Sequence, residues 1–562
     1  MPPRLPLGYS DFRQLRRQGL HFVDKSLFVA DVVRSSDAVI LLPRPRRFGK
    51  TLNLSMLAAY LGRDADDPTD IFSDLAVWQA GADVRAHFRR HPVIALTFKD
   101  VKNRTWADCR ARIVSVIASC AGTYAAVVAE HLTKVNERAA WQRIVHAEPT
   151  DDDLGNALLL MTTGLHQATG ERCVVLIDEY DTPLHAAWLN GYWGDAIELF
   201  RNMLSGGLKD NPHIFKGVVT GILRISKESL FSGLNNLGVY SLLRPELAQH
   251  FGFTADEVAD LAQQCGAGDA MPAIEQWYNG YRFGGQVIYN PWSVLNYLAS
   301  QDRVCRPYWV NTASNELLIK LLVDRSTLQQ QDLELILAGG STEQAIDENT
   351  VFTNLDHNAT ALWSFLLFCG YLRADELVGR DTAHRPVWRL TVPNREVRFD
   401  FASVFGGVLE RALGSDSQVQ MLCQALLAGD AKTFGRSLSA VLQSLSHHDL
   451  GGRQPERVYQ AFVLGLLIRL AATHEVTSNR ESGYGRCDVL VCPRQAGQPG
   501  VVVELKVRDA EENETVDKAL QAALGQIRDR DYAATLRERG ANPIREMAAV
   551  FDGKRVWVQV AG

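Results

Sequence analysis

The chain lacks any Cys-x-x-Cys pair and any set of cysteine and histidine residues at zinc-ligand spacing, although it holds nine cysteines among 562 residues. Scattered thiols of this kind belong to a reducing compartment, free and mostly buried, so a disulfide scaffold and a structural zinc domain are not expected. No apolar run approaches the roughly 20 residues that cross a bilayer. The opening Met-Pro-Pro-Arg-Leu-Pro-Leu-Gly-Tyr lacks the apolar core of a signal peptide. The expected location is therefore the cytoplasm, without a membrane partner. There is no internal repeat and no low-complexity tract, which excludes a solenoid or a disordered scaffold. An excess of basic charge is missing as well. The net charge is −6, so contact with nucleic acid would have to come from a local patch.

What is present describes a globular protein with ample core: 46% hydrophobic and 22% charged residues. At about 150 residues per domain, the length predicts three or four domains. The most informative stretch is Pro43 to Thr51, Pro-Arg-Pro-Arg-Arg-Phe-Gly-Lys-Thr. It follows the apolar run from Ala38 to Leu42, which reads as a buried strand, and precedes residues 52–61, whose apolar spacing suits a helix. Strand, turn, Gly-Lys-Thr and helix make a phosphate-binding loop, in which backbone N–H groups and the helix N-terminus face the anion. Arg47, Phe48 and Gly49 belong to the nucleotide-binding loop, Lys50 is expected on the β- and γ-phosphates of ATP, and the Thr51 hydroxyl on Mg²⁺. The position five before Gly49 is Arg44, where the general pattern has glycine. Arg44, Arg46 and Arg47 form a basic cluster, which beside such a loop serves nucleotide or the loop itself more simply than nucleic acid.

The next element is Cys173 to Asp181, Cys-Val-Val-Leu-Ile-Asp-Glu-Tyr-Asp. An apolar run ending in Asp-Glu is a parallel strand with two carboxylates at its C-terminal end, where α/β sheets place their ligands. Asp178 is assigned to the metal and Glu179 to the attacking water. An ordinary strand end with solvated acids is the alternative, and the Gly-Lys-Thr loop about 130 residues earlier favours the functional reading. A further strand, from Phe215 to Gly221, carries Thr220 at its end, with Arg224 close behind. Thr220 is a candidate sensor of the γ-phosphate and Arg224 a candidate finger on transition-state charge. A structural arginine at a strand–helix junction is the competing reading of Arg224. An arginine acting in trans would require a homo-oligomer.

Around these motifs, residues 8–28 read as helix, strand and helix, residues 92–98 as a second buried strand, and residues 104–146 as helical throughout. Residues 64–67 are an acidic stretch. From about Ala255 to Ser446 the pattern is mainly helical, with strand-like pieces such as Val387 to Val392, and no catalytic constellation is visible. Its aromatic residues are more simply core than a base-stacking platform. A polar Gly- and Pro-bearing stretch, Asp449 to Pro455, marks a boundary.

Beyond it, residues 456–473 have a strongly apolar helical pattern. A Gly-bearing turn then leads to a strand with Asp488 near its start, and Val501 to Val507 is a second strand. Glu504 and Lys506 are two apart and so share a face, and a hairpin would bring Asp488 beside them. Two carboxylates and an ammonium on an apolar sheet suit metal-assisted phosphodiester hydrolysis. Asp488 and Glu504 would hold Mg²⁺, and Lys506 would position the water or stabilise developing charge. Glu456 is weighed as a further metal contact against a solvated acid in a first helical turn. A surface hairpin with an ordinary salt bridge is the alternative for the whole set.

Three segments together carry a resemblance: Arg-Pro-Arg-Arg-Phe-Gly-Lys-Thr at 44–51, Leu-Ile-Asp-Glu-Tyr-Asp-Thr-Pro-Leu at 176–184, and Thr-Gly-Ile-Leu-Arg-Ile-Ser-Lys-Glu-Ser-Leu-Phe from 220. The chain resembles the bacterial AAA-ATPase-like family, whose members carry a C-terminal PD-(D/E)XK nuclease-like domain. Trp277 to Phe283 and Tyr289 to Val294 also look like family signatures, and Arg44 is what that family carries at its position. Asp488, Glu504 and Lys506 match the nuclease pattern, and Gln526 and Tyr532, on the following helix, resemble accessory residues of related nucleases. The resemblance implies an α/β architecture: a P-loop NTPase (AAA-like) domain at 1–254, a mainly helical lid and connector at 255–446, and a restriction-endonuclease-like α/β domain at 447–562. The expected function is ATP-controlled, Mg²⁺-dependent cleavage of nucleic acid, DNA first. Defence against foreign DNA follows only by analogy from the domain pairing. A nucleotide-controlled switch, or a nucleic-acid-binding protein without nuclease activity, stands as the alternative.

Overall fold

The computed structural model describes residues 2–63, 69–223, 236–309, 339–348, 359–401, 416–444, 473–482, 485–508 and 514–561, with single residues at 332, 333, 335, 336, 463, 467 and 470. Arg224, Glu456, the acidic stretch at 64–67 and the boundary at 449–455 lie outside the described residues. The chain forms two compact units, Met1–Val310 with Glu343–Glu396, and Asn311–Thr342 with Val397–Gly562.

The first unit is built on a parallel sheet of β1 (Val39–Pro43), β2 (Val93–Thr97), β3 (Cys173–Asp178), β4 (Ile214–Gly221) and β5 (Leu237–Val239) in the order β2-β3-β4-β1-β5. β4 is thus inserted between β1, which feeds the phosphate loop, and β3, which ends in Asp178. β1 and β3 are buried at every position, the mark of central parallel strands covered on both faces. β2 differs from the expected buried strand. Ala95 and Thr97 are exposed, because β2 is an edge strand and pairs on one side only. The strand expected between the two helices within residues 8–28 does not form, and the chain between the helices Phe12–Arg17 and Leu27–Arg34 carries no strand. The region expected to be helical over 104–146 forms three helices, Trp106–Thr123, Ala125–His131 and Val135–Val145. Among the described residues no single helix is long and apolar enough to cross a membrane.

Helix Asp151–Thr169 opens on a capping box between Thr150 and Asp153, and helix Trp193–Leu208 lies against it. Glycine permits this approach: a Cβ on Gly207 would stand 2.5 Å from Leu158 Cβ. The rest of the first unit carries the hairpin β6 (Tyr281–Phe283) and β7 (Gln286–Ile288), helices Ala255–Gln264, Met271–Tyr278, Pro291–Ala299 and Ala359–Cys369, and the antiparallel pair β9 (Arg373–Arg380) and β10 (Pro386–Thr391). The short β8 (Thr342–Ala345) precedes that pair in the chain. The aromatic residues here are core, as their composition predicts: Trp363, Phe365 and Tyr371 are all buried.

The second unit holds a five-stranded sheet of β11 (His474–Ser482), β12 (Gly485–Pro493), β13 (Gly500–Val507), β14 (Ile544–Asp552) and β15 (Arg555–Val560), in sequence order, with β13 and β14 parallel and the other pairs antiparallel. The period of two sorts its strands cleanly. Val489, Val491, Val501, Val503 and Leu505 pack with helices Asp416–Ala428 and Ala431–Ser444. Leu490, Cys492, Val502, Ala548 and Val550 pack with helix Val516–Asp529.

Candidate functional site

In the first unit the C-terminal ends of β1, β3 and β4 bring together what the sequence keeps up to about 170 residues apart. The turn from β1 into helix Lys50–Leu61 is made by two left-handed residues, Arg47 at φ 68° and Gly49 at φ 81°. Gly49 takes that conformation without a Cβ penalty. Arg47 holds it with its guanidinium over the Trp292 ring, 4.1 Å from the centroid. Burial and Arg46 lower the Arg47 pKa, and Glu179 opposes them.

Thr51 and Thr220 meet on one carboxylate. Thr51 Oγ1 donates to Asp178 Oδ2 at 2.7 Å, and Thr220 Oγ1 donates to Asp178 Oδ1 at 2.6 Å. The register explains the second contact, since β4 lies beside β3 and Thr220 follows Val219, the partner of Ile177. Asp178 and Thr220 are buried. Glu179 stands at φ 51°, a left-handed conformation that a glutamate adopts only under constraint. Its Oε2 accepts from Thr182 Oγ1 at 3.2 Å. Lys50 is buried and donates to the carbonyls of Arg44 and Pro45, each at 3.0 Å. Its pKa is lowered, chiefly by burial, with Glu179, Asp178 and Asp181 working the other way. The Phe48 ring is buried against Tyr281 and Phe283, with centroids 4.8 and 5.0 Å away.

Two residues inside the motif segments shape this site in ways their positions in the sequence do not reveal. Arg44 is wholly buried and donates to the carbonyls of Pro43 at 2.9 Å and Tyr240 at 2.6 Å, with Phe251 and Phe283 beside its guanidinium. Burial alone brings its pKa down to about 9. In place of the loop glycine, the protein thus has a strut tying the loop to the chain after β5. Asp181 receives the backbone N–H groups of Ile222 and Leu223 at 2.8 and 2.9 Å, which fixes the chain just after β4. Burial opposes its charge, but His185 and these two donors outweigh burial and hold its pKa below the ordinary value. The two aromatic signature segments are the only sequence clue to the packing under the loop, since they supply Tyr281, Phe283 and Trp292.

In the second unit β12 and β13 run antiparallel, and the pairing of Val489 with Val503 sets Asp488 opposite Glu504. Asp488 Oδ2 accepts the Leu505 N–H at 2.9 Å, and Lys506 Nζ lies 3.6 Å from Glu504 Oε1. Glu504 is 2% exposed and its Oε2 has no hydrogen-bond partner. Burial first, then the Asp488 charge, pushes its pKa up to about 8 against the opposing effect of Lys506. Two carboxylates pressed together, one of them with an orphaned buried oxygen, are a donor set that a divalent cation completes. Among the described residues no group of three or more His, Cys, Asp and Glu is arranged for a metal. A cation here would fill its shell with water and phosphate oxygens, the habit of Mg²⁺. Gln526 donates from Nε2 to the Tyr532 hydroxyl at 3.3 Å. The sequence places Tyr532 on this helix, but in the structure it lies beyond the helix end. The helix ends at Asp529, and Asp531 turns the chain at φ 49°.

Comparison with known proteins adds three findings. Residues 6–231 match the family described as "Predicted AAA-ATPase", and residues 454–561 match the PD-(D/E)XK nuclease superfamily. An uncharacterized protein of the vnfD 5′ region of Azotobacter chroococcum mcd 1 is 28% identical over 98% of this chain and 96% of its own length. The Walker-type ATPase PABY2304 of Pyrococcus abyssi is similar in structure at 13% identity and a TM-score of 0.37, covering 69% of this chain and 97% of that protein.

Proposed function

The chain carries an AAA-ATPase-like domain at residues 6–231 and a C-terminal PD-(D/E)XK nuclease superfamily domain at 454–561, and from that pairing we propose that it binds and hydrolyses ATP and uses its nucleotide state to control Mg²⁺-dependent cleavage of nucleic acid, DNA first. The observation that carries this reading is the meeting of Asp488, Glu504 and Lys506 at one strand pair, with a buried carboxyl oxygen left unpartnered.

In this reading Asp488 and Glu504 hold the cation, which when bound supplies Lewis-acid polarisation of the phosphate and an acidified water. The Leu505 N–H orients Asp488, and the Lys506 ammonium stands beside Glu504 to position water and meet developing charge. At the nucleotide site the loop N–H groups receive phosphate. With nucleotide bound, Lys50 would give up its carbonyl acceptors for phosphate oxygens, and Thr51 and Asp178 would hold Mg²⁺. Thr220 orients Asp178 from the other side. Glu179, steadied by Thr182, directs the attacking water. Arg224 as a transition-state finger and assembly into a homo-oligomer belong to the same proposal, as does a role in defence against foreign DNA.

The test is cleavage of single- and double-stranded DNA and RNA by purified protein with Mg²⁺ or Mn²⁺, with and without ATP, beside Lys506→Ala and Lys50→Ala. Cleavage lost in Lys506→Ala and altered in Lys50→Ala is the expected result. ATP hydrolysis with no cleavage under any condition would overturn the nuclease reading in favour of a nucleotide-controlled switch.

A further inference from the structure

Glu396 is buried, and its Oε1 accepts three hydrogen bonds: from Ser293 Oγ at 2.9 Å, from the Tyr308 N–H at 2.6 Å and from the Trp309 N–H at 2.9 Å. Charge-assisted bonds to backbone N–H groups are among the stronger ones in proteins. The positions they join are unusual. The chain leaves the first unit after Val310 and again after Glu396. One carboxylate therefore fastens both exits to each other, 87 and 88 residues apart along the chain.

The same cluster reaches the phosphate loop by two routes. Trp309 Nε1 donates to the carbonyl of Arg46 at 3.3 Å, and its ring packs edge-on against Tyr371. Trp292, next to Ser293, supplies the ring beneath the Arg47 guanidinium, and its own Nε1 donates to the Tyr308 carbonyl at 2.9 Å. Arg46 and Arg47 are the two residues before Phe48-Gly49-Lys50, and Arg47 is one of the two left-handed residues that shape the turn. Any movement of that turn would act on the Arg46 carbonyl and on the Arg47 stack, and both lead to the Glu396 knot within one residue.

We propose that Glu396, with Trp309 and Trp292, is a coupling device that passes the state of the phosphate loop to the two chain segments entering the C-terminal unit. This rests on the reading that nucleotide controls the nuclease site. A coupling of ordinary strength changes a linked equilibrium about 5- to 150-fold. In this scheme Glu396 is a positioning residue, touching neither nucleotide nor nucleic acid.

The experiment uses the full chain as wild type, Trp309→Phe and Glu396→Gln. Trp309→Phe keeps a ring against Tyr371 and removes the N–H to Arg46, and Glu396→Gln keeps the shape and removes the charge. Thermal melts confirm folding of each protein. Hydrogen exchange of peptides spanning 397–401 and 485–508 is followed with and without ATP at concentrations saturating each protein, and nucleic-acid cleavage is measured in parallel. The expected result is an ATP effect in wild type that falls to within about twofold of none in either folded variant. Variants that keep the full ATP effect on both readouts would overturn the coupling and leave the nuclease reading intact. An ATP effect on exchange that Trp309→Phe abolishes, with no cleavage by any protein, would sustain the coupling and remove the nuclease reading. No ATP effect in wild type on either readout would overturn the coupling and the nucleotide control it rests on.

Discussion

Glu504 gives the sharpest quantitative prediction. Its pKa stands at about 8 in the folded protein against an ordinary 4.5. Between these values the folded protein holds a proton that the unfolded chain has released. Stability therefore falls as pH rises across this window: the penalty is absent below about 4.5 and complete once the pH passes about 8. At about 1.4 kcal/mol per pH unit the full penalty is roughly 4–5 kcal/mol. For a folding unit of some 150–250 residues that is a loss of roughly 8–20 °C in Tm. The assay is calorimetry in EDTA from pH 5 to pH 9 on wild type and Glu504→Gln, reading the transition that the substitution moves. Wild type should lose Tm steeply relative to Glu504→Gln as pH rises, whatever their difference at pH 5. A divalent cation requires both carboxylates ionised and should reverse the loss at pH 8–9, by about 2.7 kcal/mol at a hundred times its Kd. The variant should show no such rescue. A wild-type minus variant difference that stays flat from pH 5 to pH 9 would refute the argument, because Glu504 would then ionise in the folded state as it does in the unfolded chain.

Thr220→Val keeps the shape but leaves Asp178 Oδ1 without its 2.6 Å donor. It should cost about 1–3 kcal/mol of stability and lower ATP turnover by about tenfold or more; turnover within twofold of wild type in a steady-state assay counts against the role of Thr220. Gly49→Ala meets open space, with nothing within 4 Å of the added Cβ, so only the left-handed backbone at φ 81° resists it. The expected loss is about 1–2 kcal/mol, read by denaturant melts, with weaker binding of a fluorescent ATP analogue. Lys506→Ala removes the positive charge that holds the Glu504 pKa down, so the Glu504 carboxyl should titrate still higher and cleavage should fall about a hundredfold or more, with partial recovery in Lys506→Arg. Equal cleavage by Lys506→Ala and wild type would exclude Lys506 from the site.

Much of the site was legible because its chemistry is written in short spacings. Gly-Lys-Thr between an apolar strand and a helix, Asp-Glu closing an apolar run, and Glu504 and Lys506 two apart on a strand each need only local geometry. The structure brings Thr51, Asp178 and Thr220 together, and sets Asp488, Glu504 and Lys506 at one strand pair. Reading failed where a neighbour decides the outcome. The chain between helices Phe12–Arg17 and Leu27–Arg34, expected to hold a strand, forms none. β2 was expected to be buried, yet its place at the sheet edge exposes one side. Residues 104–146 have helical periodicity throughout, and periodicity does not reveal the two breaks.

By itself the sequence determined the secondary structure around each motif and the residue types available at each strand end, because the periods of strand and helix and the backbone freedom of Gly49 are local properties. Only the tertiary structure decided the order β2-β3-β4-β1-β5, which puts Thr220 beside Asp178, and the burial that raises Glu504. It alone turned Arg44 into a buried strut and drew Glu396, Trp309 and Trp292 to the phosphate loop. These depend on register and packing between segments up to about 350 residues apart, and no local spacing carries that information.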